Sequence, residues 1–233
     1  QNVSEIGNNG FVITWVETGK DINIDNYAYI VGQVYSSKGL EFRGNESSQE
    51  IIGTIDGDIL AGLNGNDSLS GLDGSDILEG GNGNDVLNGG NGVDSINVGT
   101  GDNRIIQSTN DSGTFSLSDN NNVSTEQFDI IRGMNVGDKI ELPMYTTIST
   151  ANSMGNNFLL YYIGGSDNGV SLFHGTYNSE LNNFVISSSS NADILMVYDV
   201  NPVFDSKNLE AIVLVGCAKN TFSVDGEMGT IGI

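Results

Sequence analysis

Residues 53–97 read GTIDGDILA, GLNGNDSLS, GLDGSDILE, GGNGNDVLN and GGNGVDSIN, five consecutive copies of one nine-residue unit. Weaker copies flank them: GNESSQEII begins at Gly44 and VGTGDNRII begins at Val98. The eighth residue of all seven copies is aliphatic: Ile51, Leu60, Leu69, Leu78, Leu87, Ile96 and Ile105. A period kept this strictly predicts a solenoid, in which each unit buries its apolar residue only against neighbouring units.

The composition of the unit predicts a loop followed by a strand. Glycine at positions one, two and four allows positive φ and tight turns, so the first six residues form the loop. The last three residues suffice for one short strand, whose middle side chain points to one face. If successive strands fall on opposite sheets, one coil takes two units and alternate loops stack on the same side. That stacking places Asp58, Asp76 and Asp94 in one column, and Asp67 and Asp85 in the other.

Stacked carboxylates at strand spacing repel one another unless a cation lies between them. Tight loops also turn backbone carbonyls inward, and several hard oxygen ligands suit Ca²⁺ better than zinc or copper. Zinc prefers Cys or His ligands, and residues 44–106 contain neither. The pattern therefore predicts calcium sites rather than a Gly/Asn/Asp-rich linker, because a linker has no reason to place an aliphatic residue at every ninth position.

These units resemble the GGxGxDxUx nonapeptide of the RTX (repeat-in-toxin, hemolysin-type) calcium-binding proteins. The resemblance implies a parallel β-roll in which each calcium ion lies between two same-side loops. In that family the position-six Asp of both loops is a ligand. The first loop adds the carbonyls of positions two and four, and the second loop adds those of positions one and three.

Carried onto this chain, the resemblance implies about three complete sites. One would use Asp58 and Asp76 with the carbonyls of Thr54, Asp56, Gly71 and Asp73. Another would use Asp67 and Asp85 with the carbonyls of Leu63, Gly65, Gly80 and Asn82. The third would use Asp76 and Asp94 with the carbonyls of Leu72, Gly74, Gly89 and Asn91. Gly81 and Gly83 are candidate calcium ligands as well.

One or two further sites are implied at the ends of the stack, where each pair lacks one carboxylate. These pairs are Gln49 with Asp67, and Asp85 with Asn103 or Asp102. The unit at Gly53 also departs from the pattern, since it has Asp56 at position four and Gly57 at position five. Asp76 belongs to two complete sites, so Asp76→Ala is predicted to lower calcium affinity more than Asp94→Ala.

The chain is very acidic, with 30 Asp and Glu against 8 Lys and Arg and a formal charge of −22. Such a charge disfavours binding to nucleic acids or anionic membranes. The sequence contains no run of about 18 apolar residues, so it predicts no membrane span. Three calcium ions would reduce the charge from −22 to −16, so we expect folding to be coupled to metal binding. His174 is the only histidine, which excludes an HExxH zinc site, and Cys217 is the only cysteine, which excludes a disulfide within the chain.

The flanking sequences predict further β-structure, so the predicted fold is all-β with three parts. Residues 1–43 form an N-terminal β-hairpin or cap, with strand-like runs from Phe11 and Tyr27. Residues 44–106 form the β-roll, and residues 107–233 form a C-terminal β-rich, largely antiparallel cap. Within that cap, FDIIRGMNVGDKIELP from Phe128 resembles a segment that continues the sheet after RTX repeats. We interpret Asp138 there as a turn residue, with metal binding as the alternative.

Together these features predict a calcium-binding RTX module of a secreted bacterial protein, located outside the cell or on its surface, and not an enzyme. The resemblance implies that the module is disordered without calcium and uses a type I secretion machinery, with a C-terminal secretion signal. Gln1 in place of Met suggests a piece of a longer protein. The open alternatives for the parent protein are a surface adhesin, the secretion or stabilising module of an enzyme such as a protease or lipase, and a carbohydrate-binding or carbohydrate-modifying β-roll. A cell-surface or glycan partner would accompany the first or the last.

Overall fold

The computed structural model describes residues 2–6, 10–14, 39–108, 122–143, 147–150, 169–187, 192–199, 209–217, 223–225 and 230–232. All regular secondary structure in these ranges is β-strand, which confirms the predicted fold class. The strands are β1 (Asn2–Ile6), β2 (Gly10–Thr14), β3 (Glu41–Arg43), β4 (Glu50–Ile52), β5 (Ile59–Asn64), β6 (Ser68–Asp73), β7 (Ile77–Asn82), β8 (Val86–Asn91), β9 (Ser95–Asn97), β10 (Arg104–Ile106), β11 (Asn122–Ser124), β12 (Asp129–Arg132), β13 (Lys139–Glu141), β14 (Thr147–Thr150), β15 (Gly169–Asn178), β16 (Asn183–Ile186), β17 (Asp193–Asp199), β18 (Leu209–Val215), β19 (Ser223–Asp225) and β20 (Thr230–Gly232).

The repeats form two parallel ladders, and successive strands alternate between them. One ladder runs β3–β5–β7–β9 and the other runs β4–β6–β8–β10. Leu60 pairs with Leu78, and Leu69 pairs with Leu87, so each strand pairs with the strand two units later. Successive strands do fall on opposite sheets, and one coil therefore takes two units.

The position-eight residues form a continuous apolar seam between the two ladders. The seven predicted side chains, from Ile51 to Ile105, are each 5% exposed or less. Ile131 of β12 and Ile140 of β13 extend the same core. Burying one Leu or Ile side chain contributes about 1.5–3 kcal/mol, so this seam contributes strongly to the stability of the roll.

The parallel stack extends past the repeats after an excursion of the chain. β12 pairs with β9 and β13 pairs with β10, both in parallel, so residues 129–141 add one more coil. The register places Ile131 beside Ile96 and Ile140 beside Ile105. β3 extends the stack at the other end. The parallel pairing thus reaches beyond residues 44–106 on both sides, whereas the domain boundaries themselves stay a prediction.

The C-terminal strands cover this last coil. β18 pairs in parallel with β12, and β17, β15, β16 and β11 continue the same sheet through antiparallel pairs. β20 and β19 extend the other sheet from β13, also antiparallel. One face of β17 and β18 packs on the seam through Ile194 and Ile212, and the opposite face forms a second apolar cluster that includes Phe128 and Phe184.

The described N-terminal residues form an antiparallel hairpin. β2 covers the first part of the strand-like run from Phe11 and pairs antiparallel with β1. We did not predict β1, and the predicted partner strand from Tyr27 lies outside the described residues.

Candidate metal centre

Glycines in the loops serve two different purposes. Positions two and four take positive φ, for example 104° at Gly81 and 133° at Gly83. Leu63 and Leu72, at position two, adopt φ of 80° and 81° although they carry side chains. The expectation of positive φ at position one is wrong for Gly62, Gly71, Gly80 and Gly89, which lie outside the positive-φ region.

Position one is glycine because a side chain there has no room. A Cβ on Gly62 would lie 2.5 Å from Asp67 Oδ2 and 2.6 Å from the carbonyl oxygen of Gly80. A Cβ on Gly71 would lie 2.0 Å from Asp76 Oδ2 and 2.4 Å from the carbonyl oxygen of Gly89. In each case, a carboxylate of one loop and a carbonyl of the next same-side loop border one small space.

The position-six side chains form the two predicted columns. All five of them, Asp58, Asp67, Asp76, Asp85 and Asp94, are 1% exposed. Within a column, each backbone N–H donates to Oδ1 of the next carboxylate: Asp58 to Asp76 at 2.6 Å, Asp67 to Asp85 at 2.8 Å and Asp76 to Asp94 at 2.8 Å. This ladder aligns the carboxylates and uses only one oxygen of each.

The second oxygen separates two kinds of loop. In Asp67, Asp76 and Asp85, Oδ2 is buried and has no hydrogen-bond partner among the described residues. A buried carboxylate oxygen without a partner is strongly unfavourable, so a cation bound beside these atoms would stabilise the loops. The loop at Gly53 differs: its positions two and four lack positive φ, and Thr54 N donates to Asp58 Oδ2 at 2.5 Å.

The predicted ligand sets are therefore brought together to different degrees. For the pairs Asp67–Asp85 and Asp76–Asp94, the first loop has the glycine-type φ values and a carboxylate oxygen that is available to a metal. For Asp58–Asp76 the second loop fits, but Asp58 also accepts hydrogen bonds from Thr54 Oγ1 and Leu40 N. The carbonyls of Asn82 and Asn91 already accept an N–H from Gly65 and Gly74, which leaves each a second lone pair.

The donor chemistry fits calcium. No group of three or more His, Cys, Asp or Glu side chains lies together in the described part of the chain, so a metal there would depend on two carboxylates and on backbone carbonyls. Such all-oxygen sets are typical of Ca²⁺ and not of zinc.

Burial makes these carboxylates unusually basic. The pKa of Asp76 is raised to about 6, mainly by burial. The N–H of Asp58 lowers this pKa by a smaller amount, and the negative charge of Asp58, the smallest of the three causes, raises it. Burial also raises the pKa of Asp67 and Asp85. The charged form is thus destabilised in the loops, as expected for groups that need a positive ion beside them.

Sequence reasoning missed two members of the columns. Asp129 is 1% exposed and accepts the N–H of Asp94 at 2.7 Å. Asp138 is fully buried and accepts the N–H of Asn103 at 2.8 Å, so it continues the other column and is not only a turn residue. The nine-residue spacing of Asp129 and Asp138, each followed two residues later by Ile131 or Ile140, was the signal that could have identified them.

Cys217 is buried in the core, and burial raises its pKa to about 11, so it is a protonated thiol at neutral pH. No helix in the described ranges has the length and apolar character to cross a membrane.

Comparisons with known proteins identify the repeats. The family model of the RTX calcium-binding nonapeptide repeat (4 copies) matches residues 52–87 and 70–105. No curated protein matches the chain. Among solved structures, the chain is similar to the AlgE6R3 subunit of the mannuronan C5-epimerase from Azotobacter vinelandii, with 19% identity over 80% of this chain and 87% of that chain and a TM-score of 0.26. Residues 52–105 are therefore RTX calcium-binding nonapeptide repeats, folded as a β-roll.

Proposed function

We propose that the chain is a calcium-dependent folding module of a secreted bacterial protein. The single observation that carries this proposal is the buried Oδ2 atoms of Asp67, Asp76 and Asp85, which have no hydrogen-bond partner among the described residues. Bound Ca²⁺ supplies the positive charge that these loops lack.

The residues that would hold calcium follow from the loop pairs. Asp67 with Asp85 and Asp76 with Asp94 have the best-formed loops, together with the carbonyls assigned to them by the RTX pattern. Asp129 adds a carboxylate pair with Asp94, because its Oδ1 accepts the N–H of Asp94 as in the repeats. Asp58 is the least suited of the predicted ligands because Thr54 already satisfies it.

The same groups explain why folding would depend on the metal. Residues 44–106 contain eleven acidic side chains and only one basic side chain, Arg104. Charged Asp76 is destabilised by burial, and the glycines lose much conformational freedom on folding. Without a cation these unfavourable terms oppose the apolar seam, so the loops would be disordered in a low-calcium cytoplasm and would fold outside the cell.

RTX repeats support a secreted or cell-surface protein that uses type I secretion. Within that protein we propose a binding or adhesin-like role for this chain and no catalysis, because the only cysteine, Cys217, is buried with its pKa raised to about 11 and is not a thiolate nucleophile.

The test is far-UV circular dichroism during a calcium titration, with magnesium as the control. A calcium-specific rise of the β signal is the expected result, since Mg²⁺ prefers a smaller octahedral shell with retained waters. A fully folded spectrum in chelator that calcium does not change would contradict the folding switch. Calorimetry on the same sample would then show whether calcium binds at all.

A further inference from the structure

The last loop pair of one column, residues 98–103 and 133–138, differs from the calcium loops in its carboxylate. Asp138 accepts the N–H of Asn103 at Oδ1 (2.8 Å) and the N–H of Asn135 at Oδ2 (2.6 Å). Both oxygens of Asp138 are therefore hydrogen-bonded, in contrast to Asp67 and Asp85 in the same column. Its partner at position six is the neutral Asn103, so the two position-six side chains carry one negative charge and not two, and the other carboxylate of these loops, Asp102 at position five, is exposed.

Side-chain amides lie at the carbonyls of this loop pair. Asn135 Nδ2 donates to the carbonyl of Gly133 at 2.6 Å and to that of Gly99 at 3.3 Å. Asn103 Nδ2 donates to the carbonyl of Gly101 at 3.4 Å. These carbonyls stand at positions one, two and four, which the RTX pattern assigns to the metal. Each such N–H takes one of the two lone pairs of its carbonyl, and the partly positive amide hydrogens disfavour a cation beside them.

The second loop also has another conformation. Positive φ occurs at Gly133 and Gly137, which are positions one and five, whereas the calcium loops have it at positions two and four. Val136 at position four is 83% exposed. The loop thus folds around Asn135 and Asp138 in a way that satisfies their polar groups without a metal.

Calcium-independent contacts hold the same strands together. β13 pairs with β10, and Ile105, Ile140 and Ile231 are fully buried there. On the outer face, Arg104 forms an ion pair with Glu141 at 2.9 Å, which adds at most about 1 kcal/mol because both side chains are partly exposed.

We propose that this loop pair is a metal-free lock, in which Asn103, Asn135 and Asp138 replace a calcium ion and close the column. The lock holds residues 133–141 against β10 when calcium is absent. The inference rests on the proposed function, since it contrasts this pair with loops that take calcium.

The experiment is hydrogen exchange by mass spectrometry on the full chain in chelator, with Asn135→Gly as the test variant. Asn64→Gly is the matched control, because Asn64 is also at position three of this column but its side chain donates to Glu46 and accepts from Asn82, away from the monitored peptides. In the parent and the control, peptides covering 98–106 and 130–142 should be protected. In Asn135→Gly, exchange in these peptides should speed up about tenfold, the effect of losing one to two hydrogen bonds.

Rapid exchange of these peptides in the parent in chelator would overturn the lock, and so would unchanged protection in Asn135→Gly. Calorimetry separates this proposal from the proposed function. The number of calcium ions bound should be equal in the parent and in Asn135→Gly, and a lower number in the variant would show that Asn135 supports a calcium loop. A parent that binds no calcium but keeps the protected peptides would refute the proposed function alone.

Discussion

Replacing Asp76 by Asn should change stability in opposite directions with and without calcium. Asn keeps the Oδ1 acceptor that receives the N–H of Asp58 at 2.6 Å. It replaces the buried Oδ2, which has no hydrogen-bond partner among the described residues, by a neutral amide that borders the carbonyl of Gly89. The substitution therefore removes an unfavourable charge from the metal-free loop and a ligand from the calcium-bound one.

The magnitude follows from the pKa of Asp76. Burial raises this pKa from an ordinary value of 3.8 to about 6, which corresponds to about 3 kcal/mol. Screening by water near the loops reduces the expected effect to about 1–2 kcal/mol. Because the folded, metal-free chain binds this proton more tightly than the unfolded chain, its stability is greatest below about pH 4 and falls as the pH rises through 6. In chelator, Asp76→Asn should thus equal the parent near pH 4 and exceed it by about 1–2 kcal/mol at pH 7.

The assay is urea unfolding followed by circular dichroism, in chelator and in calcium, with sucrose added to populate the folded metal-free form. Asp73→Asn is the control, since Asp73 lies in the same loop, is exposed and keeps its acceptor for the Asn91 amide. A variant that is equally destabilised with and without calcium, or a difference that does not depend on pH, would refute the reasoning.

Three further results are expected. Leu78→Ala should destabilise the calcium-bound roll by about 2–5 kcal/mol in urea unfolding because Leu78 is fully buried. As the control, Leu72→Ala, at a residue that is 42% exposed, should change the free energy of unfolding by less than about 0.5 kcal/mol. Equal losses in the two variants would show that the seam lies elsewhere. Leu72→Gly should stabilise the roll by up to about 1 kcal/mol in the same assay because Leu72 has a φ of 81°, and a loss would show that its side chain matters more than its backbone. Asp76→Ala and Asp94→Ala should weaken calcium binding by similar factors in calorimetry. The reason is that the Asp94 N–H donates to Asp129, which gives Asp94 a second carboxylate neighbour. A much larger effect of Asp76→Ala would instead favour the unequal result that the repeats alone predict.

The period of nine was enough to predict the apolar seam and, on the condition that successive strands fall on opposite sheets, the two columns of carboxylates. These features are local, because each unit contains its own loop and strand and repeats the same choices. Leu60, Leu69 and Leu78 must point the same way in any stack of such units, and the Asp two residues before each of them must then align. The RTX family match agrees with this part of the prediction.

The role of individual glycines was predicted only in part. Positions two and four need positive φ, as predicted, but Gly62 and Gly71 are required by the lack of space next to Asp67 and Asp76. That space is formed by the next same-side loop, so composition within one unit does not reveal it.

The tertiary structure was needed to place Asp129 and Asp138 in the columns. The chain leaves the roll after Ile106 and returns at β12, so β9 pairs with residues 35 positions later and not 18. No local period contains that pairing, which depends on the seam accepting Ile131 and Ile140. The tertiary structure also distinguishes Asp67, whose second oxygen has no partner among the described residues, from Asp138, whose two oxygens are both satisfied. Both residues are Asp in the sequence. They differ because the φ values of each loop decide which backbone N–H groups point toward its carboxylate.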